Sequence, residues 1–391
     1  MKRLSAQYIL TNSGPPLKRA VITATDEGRI LSVEDTGGSL VESHSVEFYN
    51  GIIIPGFVNC HCHLELSHMR GAIPRERGLA DFILNIRNLR ESNDSEILNA
   101  SSEADKEMQR EGIVLCADIC NTPDTFNMKK YSKIHYLNLL EVFGIDPTKA
   151  SRRFEEVLRL SEIAEEYGIP FNVVPHSVYA VSLPLLRLIK ENTQHNKITS
   201  IHFLETENEK KFLSTHDGIL ADSYRSNGLL NGQPETPSNH INAILEEITP
   251  SGNLILVHNT FVDREIINGL KQRKNIFWCL CPESNIYIEN SMAPADLLFS
   301  EGCELVIGTD SLASNGKLSI LSELKRLQLN FPSFVIEDLI RWATINGAKA
   351  LGEEDNFGKI VPGMKPGLLL LENADLKNSK LLPESSIRRL I

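Results

Sequence analysis

Between residues 52 and 310 the chain returns eight times to a short apolar run, and most of the intervals carry helical periodicity. The runs cover residues 52–63, 112–118, 134–143, 171–176, 199–202, 253–258, 276–281 and 304–310. Amphipathic helices are expected over 78–90, 95–110, 151–167 and 183–190. Parallel neighbours cannot be joined by a tight turn, because each crossover must return to the starting edge, and a helix usually makes that return. Eight buried strands with helical returns are the arithmetic of an α/β fold, a (β/α)8 TIM-like barrel.

The chemistry sits at the strand ends. Residues 51–68 read Gly-Ile-Ile-Ile-Pro-Gly-Phe-Val-Asn-Cys-His-Cys-His-Leu-Glu-Leu-Ser-His. In an extended chain His61 and His63 face one side and Cys62 the other, so two imidazoles can meet one ion. A lone His-x-His pair is equally consistent with a polar strand end. The remaining runs shift that balance, because Asp118, Glu141, His176, His202 with Glu205, His258, Ser284 with Asn285, and Asp310 all stand at or just past the same end. Catalytic groups of such barrels collect on that face. A workable centre takes His61, His63, His202 and Asp310 as ligands of one divalent ion. Imidazole and carboxylate donors suit zinc first, with iron or manganese as alternatives. Such an ion brings the pKa of water toward neutrality. Glu205, three residues after His202, is placed to carry a proton beside the metal. His258 is either a further ligand or the stabiliser of the attack, and Asp310 is expected to share the proton traffic. The run at 171–176 ends in His176 without a lysine, which favours a mononuclear centre.

Composition narrows the partners. The formal charge is -11 with no basic tract, which argues against a nucleic-acid backbone. No apolar stretch reaches membrane length, and the N-terminus turns polar at Thr11-Asn-Ser before a signal peptide could develop. Seven cysteines, mostly inside apolar runs, read as reduced cytoplasmic thiols. Neither Cys60-His-Cys62 nor Cys279-Leu-Cys281 has the spacing of a structural zinc site. No Gly-x-Gly-x-x-Gly follows a strand, so a nucleotide-dependent redox enzyme is disfavoured. The expected partner is a small molecule, with a homodimer left open as the assembly.

Outside the barrel, residues 8–10, 20–24 and 29–33 read as short strands, and turn-rich 357–367 leads into a second apolar run at 368–371. Hairpins with one good face need a partner sheet. The expectation is a small β-sandwich made by both termini, dividing the chain into 1–53, 54–354 and 355–391. The long interval between His202 and His258, charged over 206–216 and rich in Gly, Pro, Asn and Ser over 227–239, is expected to cover the active site, a passive surface excursion being the alternative.

These segments resemble the amidohydrolase superfamily over essentially the whole chain. The resemblance rests on Pro55-Gly-Phe-Val-Asn-Cys-His61-Cys-His63-Leu-Glu65, Pro175-His176-Ser-Val-Tyr179, His202-Phe-Leu-Glu205, Val257-His258-Asn259, Cys281-Pro-Glu-Ser-Asn285 and Gly308-Thr-Asp310-Ser-Leu-Ala-Ser-Asn315. It implies a zinc or iron ion and hydrolytic loss of ammonia from an amidine-like ring carbon, with Glu205 shuttling the proton. His-x-His-Leu-Glu with Pro-His-Ser-x-Tyr looks like the branch acting on adenosine-type nucleosides: methylthioadenosine, S-adenosylhomocysteine and aminodeoxyfutalosine deaminases. In that branch Glu65 is expected to hold the ribose hydroxyls and His176 to contact the substrate. Glu65 also shares a strand phase with His61 and His63 if extension persists. Arg70 is a candidate partner for Glu65 or for an acidic substituent, and Ser311 beside Asp310 is a further substrate candidate. Glu283 departs from many relatives, as does the run at 365–371. The competing functions are hydrolysis of a free heterocycle of guanine, cytosine, pterin, triazine or cyclic-amide type and, from another class, a catalytically inactive binding barrel.

Overall fold

A Pro-Gly pair splits the apolar stretch that the sequence presents as one strand. The computed structural model describes residues 1–40, 45–215, 217–226, 248 and 252–391. Strands β1 (Lys2–Ile9), β2 (Leu17–Lys18), β3 (Val21–Ala24), β4 (Ile30–Glu34) and β5 (Glu47–Pro55) precede Gly56. Then come β6 (Phe57–Cys62), β7 (Ile113–Cys120), β8 (His135–Val142), β9 (Phe171–Pro175), β10 (Ile198–Phe203), β11 (Asn253–His258), β12 (Ile276–Leu280) and β13 (Glu304–Ile307), with β14 (Leu368–Glu372) and β15 (Ser386–Arg389) near the end. At Gly56 the chain leaves one sheet for the other through a space too tight for a side chain: an added Cβ would lie 2.4 Å from Val114 Cγ1 and 2.7 Å from the Pro366 carbonyl oxygen.

The two termini meet in one seven-stranded mixed sheet, ordered β15-β14-β5-β1-β3-β4 with β2 on β1. Antiparallel pairing of Ile52, Ile53 and Ile54 with Leu371, Leu370 and Leu369 joins the ends of the chain. These runs are apolar at every position because both faces are covered. Ile53, Leu368 and Leu370 join the core of the terminal domain, with Leu4, Ile9 and Ile22. Ile52, Ile54, Leu369 and Leu371 join the larger core around the barrel. A strand buried on two sides reads as a continuous hydrophobic run, not as alternation.

The barrel is a distorted (β/α)8 closure of two parallel four-stranded sheets, β6-β7-β8-β9 and β10-β11-β12-β13. Each seam closes through backbone next to a candidate ligand. At one, the Thr309 and Asp310 amides both donate to the His61 carbonyl at 3.0 Å; at the other, the His202 amide donates to the His176 carbonyl at 2.9 Å. Asn59 adds a side-chain stitch, donating to Thr309 Oγ1 at 2.7 Å and accepting from the Thr309 amide at 3.1 Å. Helices Asp94–Arg110, Ala150–Tyr167 and Leu183–Asn192 fall where periodicity places them. Trp278 packs edge-on against Phe203, and Trp342 sits among Phe299 and Phe334, so both tryptophans belong to the core.

The start of the expected cover forms two helices, Glu207–Thr215 and Ile219–Ser226. The stretch 227–239, on which that expectation also rests, lies outside the described residues. Among the described residues no helix is long and apolar enough to cross a membrane.

Candidate metal centre

Three imidazoles converge where the two seams meet. One ring nitrogen from each of His61, His63 and His202 lies within 4.8 Å of the others. His61 Nε2 and His63 Nε2 are 3.1 Å apart, and Asp310 Oδ1 stands 3.6 and 3.5 Å from them. His202 Nδ1 donates to the His176 carbonyl at 2.7 Å. A carbonyl only accepts, so the proton is on Nδ1 and the Nε2 lone pair is free. Burial, with His61 second, holds His63 below the usual histidine range. Burial also pushes His202 well below it, helped by His176 and His61. Neutral lone pairs crowded to 3.1 Å repel unless a proton or a cation lies between them, and a divalent ion answers that crowding. The buried His61 Nδ1 finds no partner among the described residues, so on that side packing holds the ring. Gly308 sets part of that packing, since a Cβ there would lie 2.8 Å from His61 Cβ.

Asp310 is held from behind. The hydroxyls of Ser284 and Ser314 donate to its Oδ2 at 2.5 and 2.6 Å, leaving Oδ1 for the centre. Burial alone would raise this carboxyl, but the His61 hydrogen bond and the neighbouring His63 and His258 outweigh it and hold Asp310 well below the carboxylate range. His258 is fixed at both ends of one amide: its Nδ1 donates to Asn285 Oδ1 at 2.8 Å, and Asn285 Nδ2 donates to the His258 carbonyl at 3.3 Å. Its Nε2 therefore faces Glu205 Oε1, 3.7 Å away.

Three of these strand ends turn in the left-handed region, with φ of 49° at Leu204, 74° at His258 and 56° at Asp310. Non-glycine residues there cost about 1–3 kcal/mol each and persist where surrounding contacts over-determine them. At Leu204 the restraint is Glu209, whose two carboxylate oxygens accept the Leu204 and Glu205 amides at 3.0 and 2.9 Å.

Glu205 is buried, and that burial, followed by the charge of Asp310, pushes its carboxyl up to about 8. Its ordinary value is 4.5. Between these values the folded metal-free protein keeps a proton that the unfolded chain releases, so this contribution to stability is lost as pH rises through the window. Metal-free Glu205→Gln is therefore expected to melt above the metal-free parent near pH 8, with the gap narrowing toward about pH 5. Thermal melts across that range would show it, and a gap independent of pH would speak against the buried, proton-holding Glu205.

Several candidates land elsewhere. Asp118 does not reach the centre: it turns to the helix layer and pairs with buried Lys129. Glu141 accepts from His176 Nδ1 at 2.7 Å, and the pair, with His202, forms a second cluster of ligating types. His202 Nδ1 already gives its proton to the His176 carbonyl, so this cluster is a hydrogen-bond network that orients His176. Burial would raise Glu141, but His176 and His202 overcome it and hold the group well below its usual range. Ser311 is buried with its Oγ 3.2 Å from that of Ser314.

Glu65 does not continue the strand. The chain turns into a 3-10 helix at Leu64–Met69, with the Ser67 hydroxyl donating to the Leu64 carbonyl at 2.6 Å, so the shared phase with His61 and His63 ends at His63. The carboxylate is buried and occupied: Oε2 accepts from the Asn121 amide, the Thr122 amide and Thr122 Oγ1 at 2.9, 3.1 and 3.2 Å, while Oε1 accepts from Arg90. Arg70 is not its partner. Just past the 3-10 helix it is exposed and pairs with Glu107. Arg90 lies 25 residues from Glu65, a separation at which no local spacing rule gives a signal. Arg90, Asn121 and Thr122 also line a cavity of about 230 Å³ with Glu141, Phe143 and Arg153.

Known proteins resemble this chain in sequence and in fold. The model of the amidohydrolase family matches residues 52–386. The chain is 27% identical over 358 residues to the 5-methylthioadenosine/S-adenosylhomocysteine deaminase of Pyrococcus abyssi, covering 86% of this chain and 76% of that protein. Its fold matches the Helicobacter pylori aminofutalosine deaminase solved with methylthio-coformycin, with a TM-score of 0.79 at 20% identity over 97% and 94% of the two chains. It also matches a zinc-bound adenosine deaminase from Xanthomonas campestris, with a TM-score of 0.73 at 20% identity over 97% and 86%. With a family model spanning both seams and every strand end of the site, this chain belongs to the amidohydrolase family.

Proposed function

We propose that the protein is a metal-dependent deaminase of adenosine-type nucleosides, replacing the ring amino group with oxygen from water and releasing ammonia. The observation that carries this reading is the meeting of three imidazoles with a pinned Asp310 and a buried Glu205. His61, His63, His202 and Asp310 would hold one divalent ion, zinc first given the donor set and the zinc-bound relative. When bound, that ion supplies Lewis acidity, which makes water a nucleophile at neutral pH. Glu205 takes the proton of the attacking water and returns it to the departing nitrogen. Its raised affinity for protons suits both halves of that transfer. His258, with Nδ1 committed to Asn285, offers Nε2 to the same space, and His176, oriented by Glu141, stands at the substrate side. The cavity beyond Glu141, with Arg90 and Arg153 in its wall, has room for a substituent on the 5′ side of a nucleoside. All seven cysteines are free thiols, which supports a reducing cytoplasmic setting.

The test is ammonia release by the zinc-loaded protein from adenosine, methylthioadenosine, S-adenosylhomocysteine and aminodeoxyfutalosine, beside guanine, cytosine, a pterin and a triazine. Turnover of nucleosides ahead of every free base supports the reading, and the reverse order overturns it. The four donors already on Glu65 favour a second reading, hydrolysis of a free heterocycle, because they leave a diol little more than the second lone pair of Oε1. Glu65→Gln separates the two. For a nucleoside deaminase it should raise KM for the nucleoside about tenfold or more while sparing the matching free base, the expected loss of one charge-assisted contact. Equal losses on both would remove ribose binding from Glu65.

A further inference from the structure

Asp118 and Lys129 form an ion pair with almost no access to water: their side chains are 0% and 1% exposed and Nζ lies 2.5 Å from Oδ2. The remaining ammonium protons are also taken, by Asn138 Oδ1 at 2.9 Å and Cys120 Sγ at 3.1 Å. A pair this deep is poor value for stability alone, since apolar residues of similar volume commonly do as well or better. Its other contact shows where it acts. Asp118 Oδ1 accepts the Leu64 amide at 2.7 Å, and Leu64 is the residue between His63 and Glu65. The register places Asp118 opposite Cys62, across the irregularity in β6 that follows Asn59. The peptide that turns the metal strand into its 3-10 helix is therefore held by a charged acceptor, which binds an amide about twice as strongly as a neutral one. Asn138 Nδ2 donates to the Pro170 carbonyl at 3.0 Å, so the anchor reaches from the end of β6 to the entry of β9.

We infer that Asp118 and Lys129 are positioning residues, which fix the end of β6 so that His63 meets His61 and His202 and Glu65 meets Asn121 and Thr122. The inference rests on the metal centre proposed above. The pair touches neither ion nor substrate; it acts through the Leu64 amide.

The test compares zinc affinity, by chelator competition, in the parent, in Asp118→Asn and in the double variant Asp118→Asn/Lys129→Met, which leaves no orphaned charge. Melting of each metal-free protein is followed in parallel. The double variant is expected to melt close to the parent yet bind zinc about 10–100-fold more weakly, the usual cost of losing a group that orients a ligand. Asp118→Asn alone offers the Leu64 amide the same neutral oxygen and should weaken zinc binding by a similar factor, but with the Lys129 charge left unpaired it should melt below the double variant. On a nucleoside, the zinc-saturated double variant should show raised KM with a smaller change in kcat. Parental zinc affinity and KM in a folded double variant overturn the inference. So does failure of both variants to fold, which would make the pair a support of the fold and not of the site. Absence of zinc binding by the parent would instead bring down the metal centre itself.

Discussion

Glu205→Gln is expected to keep its full complement of metal and to lose turnover by about 10²–10⁴-fold. The amide matches the carboxylate in size, and the contacts that shape this segment do not involve the Glu205 side chain: Glu209 holds the Leu204 and Glu205 amides, and His202 is tied to the His176 carbonyl. The imidazoles and Asp310 should therefore stay where they are. What disappears is a group that can accept a proton and give it back. An amide does neither at neutral pH, so the loss should fall on kcat, with KM nearly unchanged. Elemental analysis beside steady-state kinetics reads both halves. Parental turnover would reject the shuttle, and loss of metal together with turnover would make Glu205 part of the ion's own shell.

His202→Ala is expected to lose more than activity. His202 supplies one of three imidazoles, and removing a direct ligand should weaken metal binding beyond the roughly 10–100-fold that a supporting residue costs. It also sits on a seam, where its Nδ1 donates to the His176 carbonyl beside the backbone bond that closes the barrel. The variant should come off the column metal-poor, with activity recovering only at high added zinc. His61→Ala should also lose metal while leaving the His176 seam untouched. Full occupancy in either variant would take that histidine out of the centre.

Much of this was legible in the residues. Strand periodicity with helical returns marked the barrel, and the polar strand ends marked its working face, because both signals are local and repeat. Phase and position pointed to His61, His63, His202 and Asp310, which the fold brings together. Residues that depend on distant contacts were harder to see. Arg90 displaces Arg70 as the partner of Glu65, because a 3-10 turn at Leu64 rotates both away from the strand phase. Asp118 shares the rim position of the other candidates, yet it pairs with Lys129 on the outer layer. Ser314, four residues past Asp310, was not singled out by spacing, but its hydroxyl joins that of Ser284 on Asp310.

By itself the amino-acid order determined which residue types stand at each strand end and which faces must be buried, since backbone geometry converts spacing of two or of three to four directly into direction. Only the tertiary structure decided which of those ends share a space and which donors each carboxylate receives. Partners such as Asp118 and Leu64, 54 residues apart, or Asn59 and Thr309, 250 apart, meet through packing that no short window encodes.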